Sequence, residues 1–378
     1  MRKLTPLGWG VVLASLFGWS VGIALGWVEL VGMGIFTAVL VVFGWIASFG
    51  KNTIGAKLVL ATTRVVVGKS GVGVVKVHNM SPRTSRATWL ELPVGDKKIV
   101  FAIPRLDPGA EHEQIFTIPA KIRGMVTIGP VNSVRGDPLG LVHAYEPLSD
   151  KEKFVVHPLR VPVNVHARGL LHDIEGRSSG EMTSSDVSFR ALRPYVRGDA
   201  RRSIHWKTSA RIGQLMVRQF DDTRRSHMLI VLDSDLRHWA DADDFELGVS
   251  LAASIAAAEM SENRLVKIAW AGQMLADSTP VELMDSLAVI HPCAESSLAD
   301  DVATAVSHLP SASICVLVTA HEVSPVELRR VLSVVPHSAH SIVVRSGKET
   351  ALSQLDHTYV LNIAQLADAP LAFAKAVK

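Results

Sequence analysis

Between Leu4 and Gly50 the chain carries one charge, Glu29. Two apolar runs fill that stretch, Leu7–Val28 and Leu30–Phe49. Each has about 20 residues, which at about 1.5 Å per residue is enough to cross a bilayer core. No other feature restricts the fold as strongly, and two adjacent runs of this kind predict a transmembrane helical hairpin. Glu29, between Gly26 and Gly32, is expected at the tight turn joining the two helices. Trp9, Trp27 and Trp45 fall where aromatic belts sit at membrane interfaces. Arg2 and Lys3 precede the first run, and Lys51, Lys57 and Arg64 follow the second. The positive-inside rule then predicts a multi-pass protein of the inner (plasma) membrane with both termini cytoplasmic. A cleaved signal peptide fits poorly, because the second run follows at once and no small-residue cleavage site separates them. Glycines at 18, 22, 26, 32 and 34 permit close helix approach.

At 378 residues the chain predicts two or three domains. The anchor takes residues 1–52. Residues 53–165 change to short alternating runs, among them Lys57–Val67, Val72–Val77, Lys98–Ile103 and Glu113–Ile118, separated by turn signals such as Asp107-Pro108-Gly109 and Gly136-Asp137-Pro138. That spacing predicts an antiparallel β-sandwich with a spacer or interaction role. Residues 166–189 are polar, rich in Gly and Ser, and read as a linker. Residues 190–226 form a basic segment. From 227 to 378 strands and helices alternate, which predicts a parallel sheet covered by helices on both faces. The expected strands are His227–Asp233, Leu265–Ala271, Ser313–Thr319, Ser341–Val344 and Thr358–Ile363. The expected helices include Asp243–Asn263, Pro325–Val334 and Ala364–Val377. The two cysteines, Cys293 and Cys315, form neither a disulfide framework nor a metal-spaced cluster.

The densest chemistry lies in the basic segment. From Arg190 to Arg225 ten Lys and Arg stand against three acids, a local +7 in a chain of +3. Such asymmetry points to an acidic partner or an anionic surface. Tyr195, Trp206 and Phe220 interleave with the cations, which a plain solvated charge run does not need. Base stacking by Tyr195 and Trp206 is the weaker reading, and no nucleic-acid partner is expected. Tyr195 and Trp206 are expected to pack the base of the segment.

The pattern Arg193-Pro194-Tyr195, Gly198-Asp199, Arg202, Ile204-His205-Trp206-Lys207, Ser209-Ala210-Arg211, Gly213, Leu215, Val217-Arg218 and Phe220 resembles the signature of the bacterial "domain of unknown function 58" family. The resemblance implies a membrane-tethered protein of the cell envelope. It further implies a C-terminal α/β domain similar to the von Willebrand factor A fold, and association with MoxR-type AAA+ ATPases and other membrane proteins. No enzymatic activity is implied. The partner-binding residues expected on this reading are Arg193, Tyr195, Arg197, Asp199, Arg202, His205, Trp206, Lys207, Arg211 and Arg218. Arg and Asp at this density also suit an internal ion-pair network, and phosphate or lipid-headgroup binding is a further reading.

Asp233-Ser234-Asp235-Leu236-Arg237 stands where von Willebrand A domains carry the metal-binding pattern D-x-S-x-S. Asp233 matches, whereas Asp235 and Arg237 replace the two serines. Asp233, Asp235 and Thr319 offer three oxygen ligands for Mg²⁺, but Arg237 puts a cation beside them. The alternative is that Asp233 and Asp235 pair with arginines of the basic segment or cap the segment that follows. Apart from that degenerate site no cofactor is expected. A hydrolase using Asp199 and His205 is the least favoured reading, since no second titratable group stands at fixed close spacing. Val67-Gly68-Lys69-Ser70 lacks the first glycine of a P-loop, and His112-Glu113 and His321-Glu322 lack the second His of a zinc-protease helix.

Overall fold

The computed structural model describes residues 2–49, 53–137, 139–165, 187–196, 204–222, 227–294, 296–356 and 358–375. The chain divides into two compact units, Met1–Leu159 and Arg160–Lys378.

The first unit begins with two helices, α1 (Pro6–Leu25) and α2 (Val28–Ala47), both long and apolar enough to cross a membrane. Thr5 caps α1 by accepting from the Gly8 amide, and Pro6 occupies the first turn, where its missing N–H costs nothing. The turn between the helices is Gly26-Trp27, with Gly26 left-handed (φ 69°). Glu29 therefore lies in the first turn of α2 rather than in the connection, at the helix end where the dipole favours an acid. The helices touch through small residues. A Cβ on Gly34 would stand 2.9 Å from the Trp19 amide nitrogen, and the Ser15 hydroxyl donates to the Gly34 carbonyl at 2.7 Å.

Among the described residues the rest of this unit is eleven strands: β1 (Arg2–Leu4), β2 (Ile54–Leu60), β3 (Arg64–Val66), β4 (Ser70–Asn79), β5 (Thr88–Val94), β6 (Lys97–Ile103), β7 (Glu111–Pro119), β8 (Gly124–Ile128), β9 (Asn132–Gly136), β10 (Val142–Pro147) and β11 (Glu152–His157). One sheet runs β1-β10-β9-β5-β8-β11-β3, with β6 on β5, and the other runs β2-β4-β7. Alternate residues of each sheet point into one shared core. It holds Val75 and Val77 of β4, Leu90 and Leu92 of β5, Phe116 of β7 and Phe154 of β11. The run Lys57–Val67, expected as one strand, is two. β2 pairs with β4 in the small sheet, and after Ala61-Thr62-Thr63 the chain crosses to pair β3 in parallel with β11. A break between sheets leaves no mark in a run that is β-prone throughout.

The turn between β9 and β10 seats the helical hairpin. The Thr5 amide and hydroxyl donate to the Leu141 and Gly140 carbonyls at 2.9 and 2.7 Å, and β1 pairs with β10. Asp137 is buried in this turn, accepting from the Val142 and Leu139 amides, and its carboxylate faces Gly44 near the end of α2. A Cβ on Gly8 would stand 2.2 Å from the Leu141 carbonyl oxygen. Gly8→Val is therefore expected to unseat the turn at a cost of about 1–3 kcal/mol. Amide exchange in β10 of the full-length protein in detergent should accelerate accordingly, with the second unit unaffected.

The second unit opens with a two-stranded ribbon, β12 (Val187–Pro194) and β13 (Met216–Asp222), with α3 (Trp206–Ile212) between them in sequence. Then come β14 (His227–Leu232), α4 (Ala242–Ser261), β15 (Leu265–Trp270), β16 (Gln273–Met274), α5 (Pro280–Val289), α6 (Leu298–His308), β17 (Ile314–Ala320), α7 (Pro325–Leu332), β18 (His340–Ser346), β19 (Ala351–Leu355), β20 (Thr358–Ile363) and α8 (Ala369–Lys375). The sheet order is β16-β15-β14-β17-β18-β20-β19. The five inner strands are parallel, and the two edge strands are antiparallel. Because successive strand residues point to opposite faces, β14 feeds two cores. Met228, Ile230 and Leu232 pack with α4, α5 and α8, while Leu229 and Val231 pack with α6 and α7. Asp241, Thr279 and Ser324 cap α4, α5 and α7. The expected final helix Ala364–Val377 is instead a 3₁₀ turn, Leu366–Asp368, followed by α8. The edge strand β19 was not expected. It is almost wholly exposed and so lacks an alternating pattern.

Candidate functional site

The described part of the basic segment is held by its own side chains. His205 caps α3, its Nδ1 accepting from the Thr208 amide at 3.2 Å, while its backbone amide donates to the Met216 carbonyl at 2.8 Å. The Ser209 hydroxyl donates to the His205 carbonyl and accepts from the Met216 amide at 2.8 Å, which ties the helix to β13. Gly213 ends the helix in the left-handed region (φ 73°), where a Cβ is disfavoured. Ile204 bridges to Val217, and both are buried. The Tyr195 amide donates to the Leu215 carbonyl, and Arg193 Nη1 donates to the Pro194 carbonyl. Many of the fixed residue types in the pattern thus serve the scaffold, His205 among them.

Trp206 does not pack the base of the segment. It is 65% exposed. The buried residue of α3 is Ser209, while Trp206, at the first position of the helix, stays exposed. Trp206 and Ala210 form one exposed stripe, and Lys207 and Arg211, also four apart, form the stripe beside it. Val196, Ile212 and Leu215 add exposed apolar area on the same segment. Tyr195 is half-buried. Arg218 lies in β13, and Arg197, Asp199 and Arg202 lie outside the described residues.

A second polar cluster sits where β14 and β17 end. Asp233 is fully buried. Its Oδ1 accepts from the Asp235 amide at 3.0 Å, and its Oδ2 accepts from Thr319 Oγ1 at 2.5 Å and from His238 Nδ1 at 2.7 Å. Asp235 is buried too. Its Oδ1 accepts from the Arg237 amide and Nε, both at 2.9 Å, and its Oδ2 from Nη2 at 2.5 Å. These hydrogen bonds from Arg237 hold the Asp235 carboxyl below its usual range and raise the guanidinium. The bond to Asp233 raises His238, whose Nε2 also faces Glu327 at 3.5 Å. Beside this, Asp301 accepts from Ser234 and Ser296 at 2.6 and 2.9 Å, and burial pushes its carboxyl up. Arg345 braces the loop after β17 by donating to the Ala320, His321 and Val323 carbonyls.

The structure therefore brings Asp233, Asp235 and Thr319 together, as the sequence pattern suggests. Among the described residues, however, no group of three His, Cys, Asp or Glu side chains is arranged to hold a metal. His238, Ser234, Ser296, Asp301 and Arg345 were missed. Ser234 and Asp301 are 67 residues apart, His238 and Glu327 further still, and local spacing carries no such signal.

A family model described as "Protein of unknown function DUF58" matches residues 191–318. That match takes in α3, its exposed face and the Asp233–Asp301 cluster, and stops just short of Thr319. An uncharacterized protein of Bacillus subtilis, YeaD, is 31% identical over 122 residues, which is 32% of this chain and 29% of that protein. The matched region thus spans under a third of the curated relative. Among solved structures, a CARDB domain from Pyrococcus furiosus shares 14% identity over 28% of this chain and 97% of its own, with a TM-score of 0.21. A β-glucosidase from Listeria innocua shares 12% over 29% of this chain and 17% of its own, with a TM-score of 0.20. Likenesses this slight carry no argument about fold or function.

Proposed function

We propose that this protein is a non-enzymatic adaptor anchored in the plasma membrane by α1 and α2, both termini cytoplasmic. Through the face of α3 it docks an acidic partner, a MoxR-type AAA+ ATPase or its client, in envelope-associated assembly. The observation that carries the reading is the exposed Trp206–Ala210 stripe beside Lys207 and Arg211. A large aromatic flanked by cations on a braced scaffold is the composition of an interface anchor, since Trp and Arg dominate binding hot spots. The ATPase is named on the resemblance to the DUF58 signature and on its match to residues 191–318. The membrane placement rests on the two apolar helices and their positive flanks. His205 spends its Nδ1 on capping α3, which weighs against a role as general base.

The test is crosslinked purification of the tagged full-length protein from native membranes, with and without ATP. A nucleotide-sensitive AAA+ ATPase should be captured. Lys207→Glu with Arg211→Glu should reduce capture by about tenfold or more, since reversed charge opposes an acidic surface. The reversed side chains are exposed, so folding should change by no more than about 0.5 kcal/mol each. Unchanged capture by a folded double variant would sink the docking role of α3.

A further inference from the structure

All four carboxylate oxygens of Asp233 and Asp235 accept hydrogen bonds from donors of this chain. We infer that Arg237 is the resident cation of the crevice beyond β14 and β17, standing where the D-x-S-x-S pattern would bring a divalent ion, so that this crevice works without metal. The residues present do not fit such an ion. A hard divalent cation takes six or more oxygens at close range. Here Nε and Nη2 of Arg237 grip both oxygens of Asp235, in the planar two-point geometry that guanidinium and carboxylate share. Thr319 donates its hydroxyl proton to Asp233 at 2.5 Å, so this side chain is already drawn to the carboxylate. Asp301, the third acid nearby, is turned to Ser234 and Ser296.

Charge balance agrees with the geometry. Two buried carboxylates face the Arg237 guanidinium and the His238 imidazole. A dication would have to expel Arg237 and leave His238 beside two positive charges. The segment is also fixed from outside. The Leu236 amide donates to the Cys293 carbonyl at 2.9 Å, and the Cys293 amide to the Ser234 carbonyl at 2.6 Å. Arg237 Nη2 reaches the Ser296 carbonyl as well. With its inner edge clamped and its side chain 73% exposed, Arg237 shows solvent a permanent, positioned cation.

The test uses Mn²⁺ alone on full-length protein in detergent, followed by titration calorimetry and by the paramagnetic signal of the free ion. The parent should give no binding. Arg237→Ser, which restores the last serine of the pattern, should bind Mn²⁺ at least about tenfold more tightly than the parent. Arg237→Gln, which keeps a donor near Asp235, is the second variant should the first unfold. Adding Asp233→Asn to whichever variant binds should abolish the binding, placing the ion in the crevice. Saturable Mn²⁺ binding by the parent overturns the inference, and so does a failure of both folded single variants to bind.

Discussion

Asp233→Ala is expected to destabilise the second unit by about 3–5 kcal/mol, the cost of removing one partner from a buried ionic pair. The size follows from what the substitution strands. Asp233 is the common acceptor of Thr319, of His238 and of the Asp235 amide, and no part of it reaches water. His238 keeps only the longer approaches to Asp235 and Glu327, at 3.8 and 3.5 Å. Amide-exchange mass spectrometry of the full-length protein in detergent is the suitable measurement, because it reads the ends of β14 and β17 apart from the membrane helices. A loss below about 1 kcal/mol would mean that the cluster is less coupled than its geometry requires.

The second large effect concerns pH. Glu259, near the end of α4, is 2% exposed, and burial, with Glu262 adding, pushes its carboxyl up to about 7. The Arg264 guanidinium lies 3.5 Å away but is drawn to Glu262 at 2.9 Å. A carboxyl whose folded value is raised favours the fold most when protonated. That contribution is fully present below about 4.5 and is lost as pH rises through about 7. Glu259→Gln should therefore be nearly neutral at pH 5 and stabilise the second unit by about 1–3 kcal/mol at pH 8.5. Exchange rates in α4 measured at both pH values check it. An equal effect at the two pH values would show that Glu259 does not ionise in this range.

What the sequence reveals here depends on how local the cause is. The two membrane-length helices are legible because 20 residues of apolar composition are themselves the cause. The alternation of strand and helix after His227 is legible because both periods are short. The split between β2 and β3 is not, since pairing with β11 depends on residues about 90 positions away. Trp206 shows the limit most clearly. Its neighbours in sequence predict a packed aromatic, but at the first position of α3, just after the His205 cap, it stands exposed. The residues of the Asp233 cluster were half legible. Asp233, Asp235 and Thr319 could be placed at strand ends, whereas which cation each would hold is a matter of rotamers and distant loops.

The seat of the helical hairpin has a mechanical consequence. β1 leads through the single residue Thr5 into α1, and its three residues are paired antiparallel with β10. A pull on the first unit directed along α1 would load those pairs together, in shear, rather than open them one after another. The Thr5 bonds to Gly140 and Leu141 and the packing of Gly8 on Leu141 would resist in the same step. An anchor joined in this way behaves as a stiff mast rather than a leash: tilting the helices in a bilayer would swing the β-sheets of the first unit with them.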